Sequence, residues 1–271
     1  MSERPVVGFV GVGTIAEALI DGLCLGGDHR ADFLLSPRSA DRVAGLAARY
    51  PFATVAASNQ AVVDGADIVF LSVIPQVAEQ VLGELEFHPG QHVVSLIATF
   101  NTARLGPLVA PATEISRVIP LPAVARRMGP LSLYPPSAVI GGLLDGLGKV
   151  VALDDEAQLD SFLAVTGFMG SYFGLLESIA GWLIGRGVSA EQADAFAASL
   201  FHSLGFSAEA RVEEGFSRLV TEHSTPGGLN EQAWRELKAA GWGDLAGEAL
   251  SLLHRRITGQ ATLADTLPAR D

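Results

Sequence analysis

Near its start the chain reads Val6-Val7-Gly8-Phe9-Val10-Gly11-Val12-Gly13-Thr14-Ile15-Ala16. The apolar run predicts a strand, the glycines predict a tight turn, and the residues after them predict a helix, which is the fingerprint of dinucleotide-binding proteins. Gly11 permits the sharp turn, Gly13 leaves room for a pyrophosphate, and Ala16 lets the helix pack close to the strand. The free N–H groups at the start of that helix favour phosphate. The alternative is a glycine-rich turn that binds no nucleotide.

Composition narrows the class of protein. A chain of 271 residues allows one large or two modest domains. Its net charge of −12 argues against nonspecific binding of nucleic acid. The single cysteine, Cys24, excludes a disulfide framework within one chain and is best read as a buried small residue. The first five residues lead into the first strand without the pattern of a signal peptide, so we expect a cytoplasmic protein.

The order of predicted elements defines the fold class. Short apolar runs alternate with helical patterns, which predicts an α/β fold whose N-terminal Rossmann domain, residues 1–153, has a doubly wound parallel sheet. Residues 154–271 contain only helical patterns, which predicts an all-α second domain. Strands are predicted at 6–10, 33–36, 54–56, 68–73, 92–96, 114–119 and 137–140. C-terminal helices are predicted at 155–163, 167–185, 190–207, 208–221, 230–240 and 245–258, with helix ends near Gly187, Gly205 and Gly241.

One segment, 162–184, has the length and apolar composition of a membrane-spanning helix. Glu177 and four glycines interrupt it, which favours a long helix buried between two subunits over a helix in lipid. We therefore expect no membrane association.

The residues after the second strand indicate which cofactor is used. Enzymes that use NAD place Asp or Glu there, to accept a hydrogen bond from the ribose. This chain has Ser36-Pro37-Arg38-Ser39 instead, and an arginine between two hydroxyls suits a 2′-phosphate. NADP(H) is therefore favoured over NAD(H), unless Arg38 is simply a solvated loop residue.

A second turn rich in N–H groups lies far along the chain, in His223-Ser224-Thr225-Pro226-Gly227-Gly228-Leu229-Asn230-Glu231. Hydroxyls followed by Pro-Gly-Gly and a helix start offer a place for a carboxylate or phosphate. The alternative is a tight turn between helices, capped by a hydroxyl. No metal site is predicted, since Pro89-Gly90 separates His88 from His92 and prevents their alignment on a helix.

The order of these motifs resembles the pyrroline-5-carboxylate reductase family. The resemblance is carried by Gly8 to Gly13 with Ala16, Ser36 with Arg38, Ser58-Asn59, Val73 to Gln76, Arg117 to Pro120, Gly167 to Tyr172 and Ser224 to Gly228. It implies a Rossmann domain, a helical domain that interleaves with that of a second copy in a homodimer, and NADPH-dependent reduction of 1-pyrroline-5-carboxylate to proline. Further assembly of dimers is left open.

The resemblance also implies roles for individual residues. The loop before the Pro-Gly-Gly helix would hold the carboxylate of a small anionic imine, next to the nicotinamide bound by the partner subunit. The cofactor residues would be Gly11, Val12, Gly13, Thr14 and Ile15 at the pyrophosphate, Ser36 and Arg38 at the 2′-phosphate, Asn59 at the adenosine, and Val73, Ile74 and Pro75 at the nicotinamide half. The substrate residues would be Ser224, Thr225, Gly227 and Gly228. From the residues themselves, Thr225 and Asn230 are the candidate catalytic contacts, with Ser171 and Tyr172 as further polar candidates and His223 as a possible proton donor.

Several positions depart from the family pattern. Ile74 replaces a usual lysine, Leu121 a usual asparagine, and Leu229 and Asn230 replace two threonines. Apolar replacements near a polar substrate can change specificity by orders of magnitude. Two alternatives therefore stay open: a related NADP oxidoreductase that acts on a different imine or carbonyl compound, and an NADP-binding sensor without catalysis.

Overall fold

The computed structural model describes residues 4–267, and its centre is one eight-stranded sheet. The strands are β1 (Val6–Val10), β2 (Asp32–Leu35), β3 (Ala53–Val55), β4 (Ile68–Leu71), β5 (His92–Ser95), β6 (Glu114–Ile119), β7 (Pro130–Tyr134) and β8 (Lys149–Ala152). Their order is β3-β2-β1-β4-β5-β6-β7-β8, and every neighbouring pair is parallel except β6 with β7. The strand order reverses between β1 and β4, so the ligand crevice of this fold lies beyond their carboxyl ends.

Helices cover both faces of this sheet. They are α1 (Thr14–Cys24), α2 (Ala40–Arg49), α3 (Asn59–Gly65), α4 (Pro75–Gly83), α5 (Thr102–Val109) and α6 (Ala138–Leu144), with short 3₁₀ helices at Leu25–Gly27 and Pro122–Arg126. Successive residues of a strand point to opposite faces. Phe9 therefore packs in the layer that contains α1, stacked on Phe70 at 5.0 Å, whereas Val10 packs in the layer that contains α3 and α4.

The prediction of a Rossmann sheet followed by helices is confirmed, with two differences inside the sheet. The predicted strand at 137–140 is wrong, because Ser137 caps α6 by accepting a hydrogen bond from the Ile140 N–H at 3.3 Å. Ile140, Leu143 and Leu144 then face the core with helical spacing. The strands β7 and β8 were not predicted, and they extend the sheet beyond β6.

Within the described residues, six α-helices and a short 3₁₀ helix at Val212–Glu214 follow the sheet. The α-helices are α7 (Glu156–Thr166), α8 (Met169–Ile184), α9 (Ala190–Ala210), α10 (Phe216–His223), α11 (Leu229–Ala239) and α12 (Trp242–Ile257). The predicted helix end at Gly205 is wrong, since α9 continues five residues beyond it to Ala210. The predicted single helix at 208–221 is broken at Gly215, which has a φ of +78°. Gly241, with a φ of +76°, separates α11 from α12.

The chain divides into two compact units between Leu163 and Ala164. We call the described residues 4–163 the N-terminal unit and 164–267 the C-terminal unit. The domain boundary predicted at 153/154 falls ten residues earlier, between the end of β8 at Ala152 and the start of α7 at Glu156.

The C-terminal unit buries very little of its apolar surface. Among its described residues, the buried apolar side chains belong to four alanines, Ala164, Ala180, Ala193 and Ala197. Large apolar side chains are exposed instead, and Phe173 and Phe206 are 65% and 69% exposed. The stretch Glu156–Ile184 is long and apolar enough to cross a membrane by length and composition alone, and 6% of its most apolar window is buried within the chain.

Candidate functional site

The turn after β1 is shaped by its glycines. Gly11 has a φ of +88°, and a Cβ placed on it would lie 2.7 Å from the carbonyl oxygen of Ser72, after β4. A Cβ on Gly13 would meet nothing within 4 Å, so this position faces open space. The hydroxyl of Ser36 accepts a hydrogen bond of 2.9 Å from the Gly11 N–H. The residues that follow β2 and β4 therefore define the shape of the turn, and Gly13 faces an open crevice.

The start of α1 borders this crevice. Its N-cap is Gly13, which has no side chain to cap the helix. The first-turn N–H groups are therefore free for a ligand. Val12 is 2% exposed, so its contribution to a ligand is limited to its main chain. Glu17 lies in the first turn of α1, where its carboxylate pairs with Arg42 at 3.1 Å and Arg49 at 2.9 Å. This pairing offsets the only acidic charge in that turn.

The residues after β2 divide into a buried one and an exposed one. Ser36 is 1% exposed and supports the glycine turn, so its side chain lies behind the crevice. Arg38 is exposed, and no ion pair or hydrogen bond ties it to another residue in the described part of the chain. Ser39, the N-cap of α2, makes no side-chain cap either. Arg38 and Ser39 are therefore the groups available to a 2′-phosphate.

The remaining predicted cofactor residues lie after β3 and β4. Asn59 is the half-buried first residue of α3, behind the cap made by Ser58, whose hydroxyl accepts from the Ala61 N–H at 3.1 Å. Pro75 is the first residue of α4, where its missing N–H costs nothing. Ile74 before it is 63% exposed. An apolar side chain therefore projects from the position where the family pattern has lysine.

The Pro-Gly-Gly turn in the C-terminal unit is closed by its own groups. Gly227 has a φ of +74°, and its N–H donates a 2.6 Å hydrogen bond to the carboxylate of Glu231. The N–H of Gly228 donates to the Thr225 carbonyl at 2.8 Å. Thr225 and Asn230 are exposed, and Ser224 is half-buried. Two N–H groups that the sequence predicts to be free for a substrate anion are thus already hydrogen bonded within the chain.

The helix before this turn is held by a network of exposed charges. Arg211 pairs with Glu214 at 2.8 Å and also with Glu222, while Arg218 pairs with the same two carboxylates at 3.2 and 2.8 Å. These guanidinium groups hold the pKa of Glu214 and of Glu222 below the usual value. The network links α10 to the 3₁₀ turn before it.

Two side chains with strongly raised pKa values, Cys24 and Tyr50, lie away from the crevice. Burial raises the pKa of Cys24 to about 12, which keeps it a thiol at neutral pH. Burial, together with a 2.8 Å hydrogen bond to Asp21, raises the pKa of Tyr50 to about 12. Among residues 4–267, no cluster of three or more His, Cys, Asp or Glu side chains is placed to hold a metal ion.

One group near the crevice was not predicted from the sequence. Arg117 in β6 is buried and forms a 2.9 Å ion pair with Glu156. A charged residue in the middle of an apolar strand is a signal of such a pairing, since a buried charge needs a partner. The sequence does not show which carboxylate supplies it.

The crevice suits a dinucleotide. It combines open space at Gly13, free N–H groups at the start of an 11-residue helix, and an unpaired arginine at the end of the neighbouring strand. These features define the class of Rossmann-type proteins that bind a 2′-phosphorylated nicotinamide dinucleotide.

Comparisons with known proteins narrow this class to a family. Residues 6–99 match the family model described as "NADP oxidoreductase coenzyme F420-dependent", and residues 156–259 match "Pyrroline-5-carboxylate reductase dimerisation". A pyrroline-5-carboxylate reductase of Pseudomonas aeruginosa is 31% identical over 98% of this chain and 99% of its own. The chain belongs to the pyrroline-5-carboxylate reductase family.

Solved structures show the same fold. A pyrroline-5-carboxylate reductase from Coxiella burnetii superposes with a TM-score of 0.83, at 22% identity, covering 96% of this chain and 100% of that one. A Plasmodium falciparum pyrroline carboxylate reductase, solved with NADP bound, gives a TM-score of 0.77 at 17% identity, covering 96% and 99%.

Proposed function

We propose that this protein is an NADPH-dependent reductase that transfers a hydride to the C=N bond of 1-pyrroline-5-carboxylate and so forms proline. The proposal is carried by one observation, the full-length identity of 31% to a pyrroline-5-carboxylate reductase. The open glycine turn and the unpaired Arg38 support the use of NADPH.

Each part of the N-terminal crevice has a task in this reaction. The first-turn N–H groups of α1 bind the pyrophosphate, with Gly11, Thr14 and Ile15 around it. Arg38 binds the 2′-phosphate, with the buried Ser36 behind it holding the turn in shape. Asn59 borders the adenosine, and the turn from Val73 to Pro75 borders the nicotinamide half. When bound, NADPH supplies the hydride, and the protein supplies position and electrostatics.

The Pro-Gly-Gly turn binds the anionic end of the substrate. Ser224, Thr225, Gly227 and Gly228 face its carboxylate, and Thr225 and Asn230 are the polar contacts to the reacting group. A protonated imine accepts a hydride readily, so this chemistry needs orientation more than a dedicated acid. Glu231, on the Gly227 N–H, must move aside or share this turn with the substrate carboxylate.

A second candidate is favoured by two exposed apolar side chains. Leu229 is 85% exposed and replaces a family threonine, and Ile74 is 63% exposed and replaces a family lysine. Both favour a larger and less polar imine or carbonyl compound as substrate of the same NADPH-dependent reaction.

The protein acts as a homodimer formed by its C-terminal unit, in the cytoplasm and without a membrane. A unit whose buried apolar side chains are four alanines needs another surface to cover its exposed aromatic rings. The match of residues 156–259 to a dimerisation model supports a second copy of this chain as that surface.

An assay of NADPH oxidation by the purified protein tests this function. The panel contains 1-pyrroline-5-carboxylate, 1-pyrroline without the carboxylate, a bicyclic aromatic imine and a matched ketone. Turnover highest with 1-pyrroline-5-carboxylate is the expected result. Turnover confined to the bicyclic imine would establish the second candidate. Tight binding of NADPH with no turnover of any compound would leave a sensor and refute both.

A further inference from the structure

Arg117 is the most buried charged side chain near the crevice, and the proposed reaction gives it no task. Its side chain is 4% exposed. One guanidinium nitrogen donates to the carboxylate of Glu156 at 2.9 Å, and another donates to the main-chain carbonyl of Ala98 at 2.8 Å. Arg117 therefore joins a loop after β5 to the first residue of α7.

Glu156 extends this connection to the other end of the same loop. Its Oε1 accepts from the Thr102 N–H, and its Oε2 accepts from the Thr102 hydroxyl, both at 2.7 Å. Thr102 is the first residue of α5. The loop of residues 96–101 is thus held at Ala98 by Arg117 and at its exit by Glu156.

The position of this loop in the sheet connects these contacts to the cofactor crevice. Ser95, at the end of β5, is paired with Leu71 at the end of β4 on one side and with Arg117 on the other. The loop therefore emerges at the same edge of the sheet as the Val73–Pro75 turn. Ile97 and Phe100 are anchored in the core, which leaves Thr99 exposed at that edge.

We propose that Arg117 and Glu156 are positioning residues for the cofactor, which fix the main chain at Ala98 and Thr99 against the nicotinamide half of bound NADPH. The inference rests on the proposed use of NADPH. Neither side chain touches the cofactor. They act through the shape of the loop, because Arg117 holds its main chain at the Ala98 carbonyl. Leu96, Phe100 and Asn101 make main-chain hydrogen bonds nearer the two ends of the loop.

The chain supplies a matched control. Arg127 makes the same kind of double contact, to the carboxylate of Asp28 and to the main-chain carbonyl of Gly22 at 2.9 Å. Gly22 lies in the last turn of α1, and Asp28 precedes β2, so this pair belongs to the opposite edge of the sheet. Arg127 is more exposed than Arg117, 25% against 4%, so Arg127→Lys controls for the loss of such a bridge away from the crevice rather than for an equal loss of stability.

The test compares two ligands that share an adenosine half. NADPH carries the nicotinamide, whereas adenosine 2′,5′-bisphosphate does not. We expect Arg117→Lys to weaken binding of NADPH by about tenfold and to leave binding of adenosine 2′,5′-bisphosphate within about twofold, because a lysine cannot bridge both partners. Glu156→Gln, which keeps the size of the side chain, gives the same pattern if Arg117→Lys fails to fold. Arg127→Lys changes neither affinity.

Titration calorimetry measures the two affinities, and the melting temperature shows whether each variant is folded. Together they test the inference. Equal weakening of both ligands in Arg117→Lys and Glu156→Gln would show that the pair only stabilises the fold and would overturn the inference. So would an unchanged affinity for NADPH in either folded variant. Since binding is measured without turnover, a wild type that binds NADPH and reduces no imine would refute the proposed function while leaving this inference standing.

Discussion

Individual residues determine the shape of the crevice where a phosphate would bind. Gly11 and Ser36 show how far residue types allow prediction: the sequence predicts the sharp turn, and the structure adds the 2.9 Å hydrogen bond that holds it. The sequence predicts that Ser36 contacts the 2′-phosphate, whereas in the structure its side chain is 1% exposed and its hydroxyl accepts from the Gly11 N–H. Residue type does not reveal such burial, because burial depends on the neighbouring strands.

Arg38 offers the sharpest test of cofactor choice. We expect Arg38→Ala to weaken NADPH binding by about tenfold to a hundredfold, the usual range for losing a hydrogen bond to a charged group. Binding of NADH, which has no 2′-phosphate, stays unchanged and serves as the internal control. The measurement is a fluorescence titration of each cofactor. An equal loss for both cofactors would place Arg38 outside the 2′-phosphate site.

Glu231 illustrates what the sequence alone does not reveal about the candidate site. The pattern Pro-Gly-Gly predicts free N–H groups, yet the carboxylate four residues after Gly227 accepts one of them at 2.6 Å. Such a contact depends on the path of the turn and on the side-chain conformation, which a linear pattern does not contain. It places a negative charge where the proposed substrate brings another.

Glu231→Gln therefore improves binding of an anionic substrate. We expect the KM for 1-pyrroline-5-carboxylate to fall by roughly threefold to tenfold, since like charges at a partly solvated site repel modestly. The KM for 1-pyrroline, which has no carboxylate, stays constant. Glu236→Gln, an exposed carboxylate on the same helix, is the control and changes neither value. A KM that falls for both substrates would show that the charge is not what matters.

At the scale of elements, the parallel strands with strong apolar runs were predictable and the end of the sheet was not. Residues 6–10 and 114–119 form strands with the predicted bounds. Ser137-Ala138-Val139-Ile140 resembles a strand because of its β-branched pair, but the cap at Ser137 and the burial of Leu143 and Leu144 make it helical. Packing overrides local propensity in such short segments. Strand β7 was not predicted although Leu131 and Leu133 alternate with the polar Ser132, because a proline lies at each end of this short segment.

We expect the free energy of unfolding to depend on pH through a histidine where β5 pairs with β6. His92 on β5 lies opposite Glu114, and its ring is 2.8 Å from the Ser116 hydroxyl. Burial lowers the pKa of His92, and Glu114 opposes this only in part. Below the pKa of the unfolded chain, about 6.5 for histidine, the unfolded state binds the proton more readily, so the free energy of unfolding decreases as pH falls.

Urea unfolding of the wild type and of His92→Gln at pH 7 and pH 5 measures this effect. We expect the wild type to lose more stability between the two pH values than the variant does. His88→Gln removes an exposed histidine that lies 3.4 Å from the carboxylate of Asp64, and it measures how much of the pH dependence comes from a surface ion pair. An identical pH dependence in wild type and His92→Gln would show that His92 does not contribute.

At the scale of the whole molecule, the two units differ in what they bury. The sheet of the N-terminal unit encloses phenylalanines, leucines and valines on both faces. The C-terminal unit buries four alanines and leaves Phe173 and Phe206 more than 60% exposed. The proposed dimer would cover this apolar surface with an interface that resembles a core cut in half. The sequence indicated this through the apolar content of segment 162–184, although periodicity alone does not separate such a helix from a membrane span.

Charged substitutions on these exposed rings test the dimer. We expect the wild type to sediment as a dimer whose melting temperature rises with protein concentration, because dissociation accompanies unfolding. Phe206→Asp or Phe173→Asp should shift the protein to monomers and reduce helical circular dichroism, since a buried unpaired carboxylate costs several kcal/mol, on the order of 3–5. Val139→Asp, at a comparably exposed apolar position of the N-terminal unit, is the control and leaves the mass unchanged. A wild type that sediments as a monomer with full helicity would mean that the C-terminal unit is stable without a partner, and the interface proposed for it would have to be abandoned.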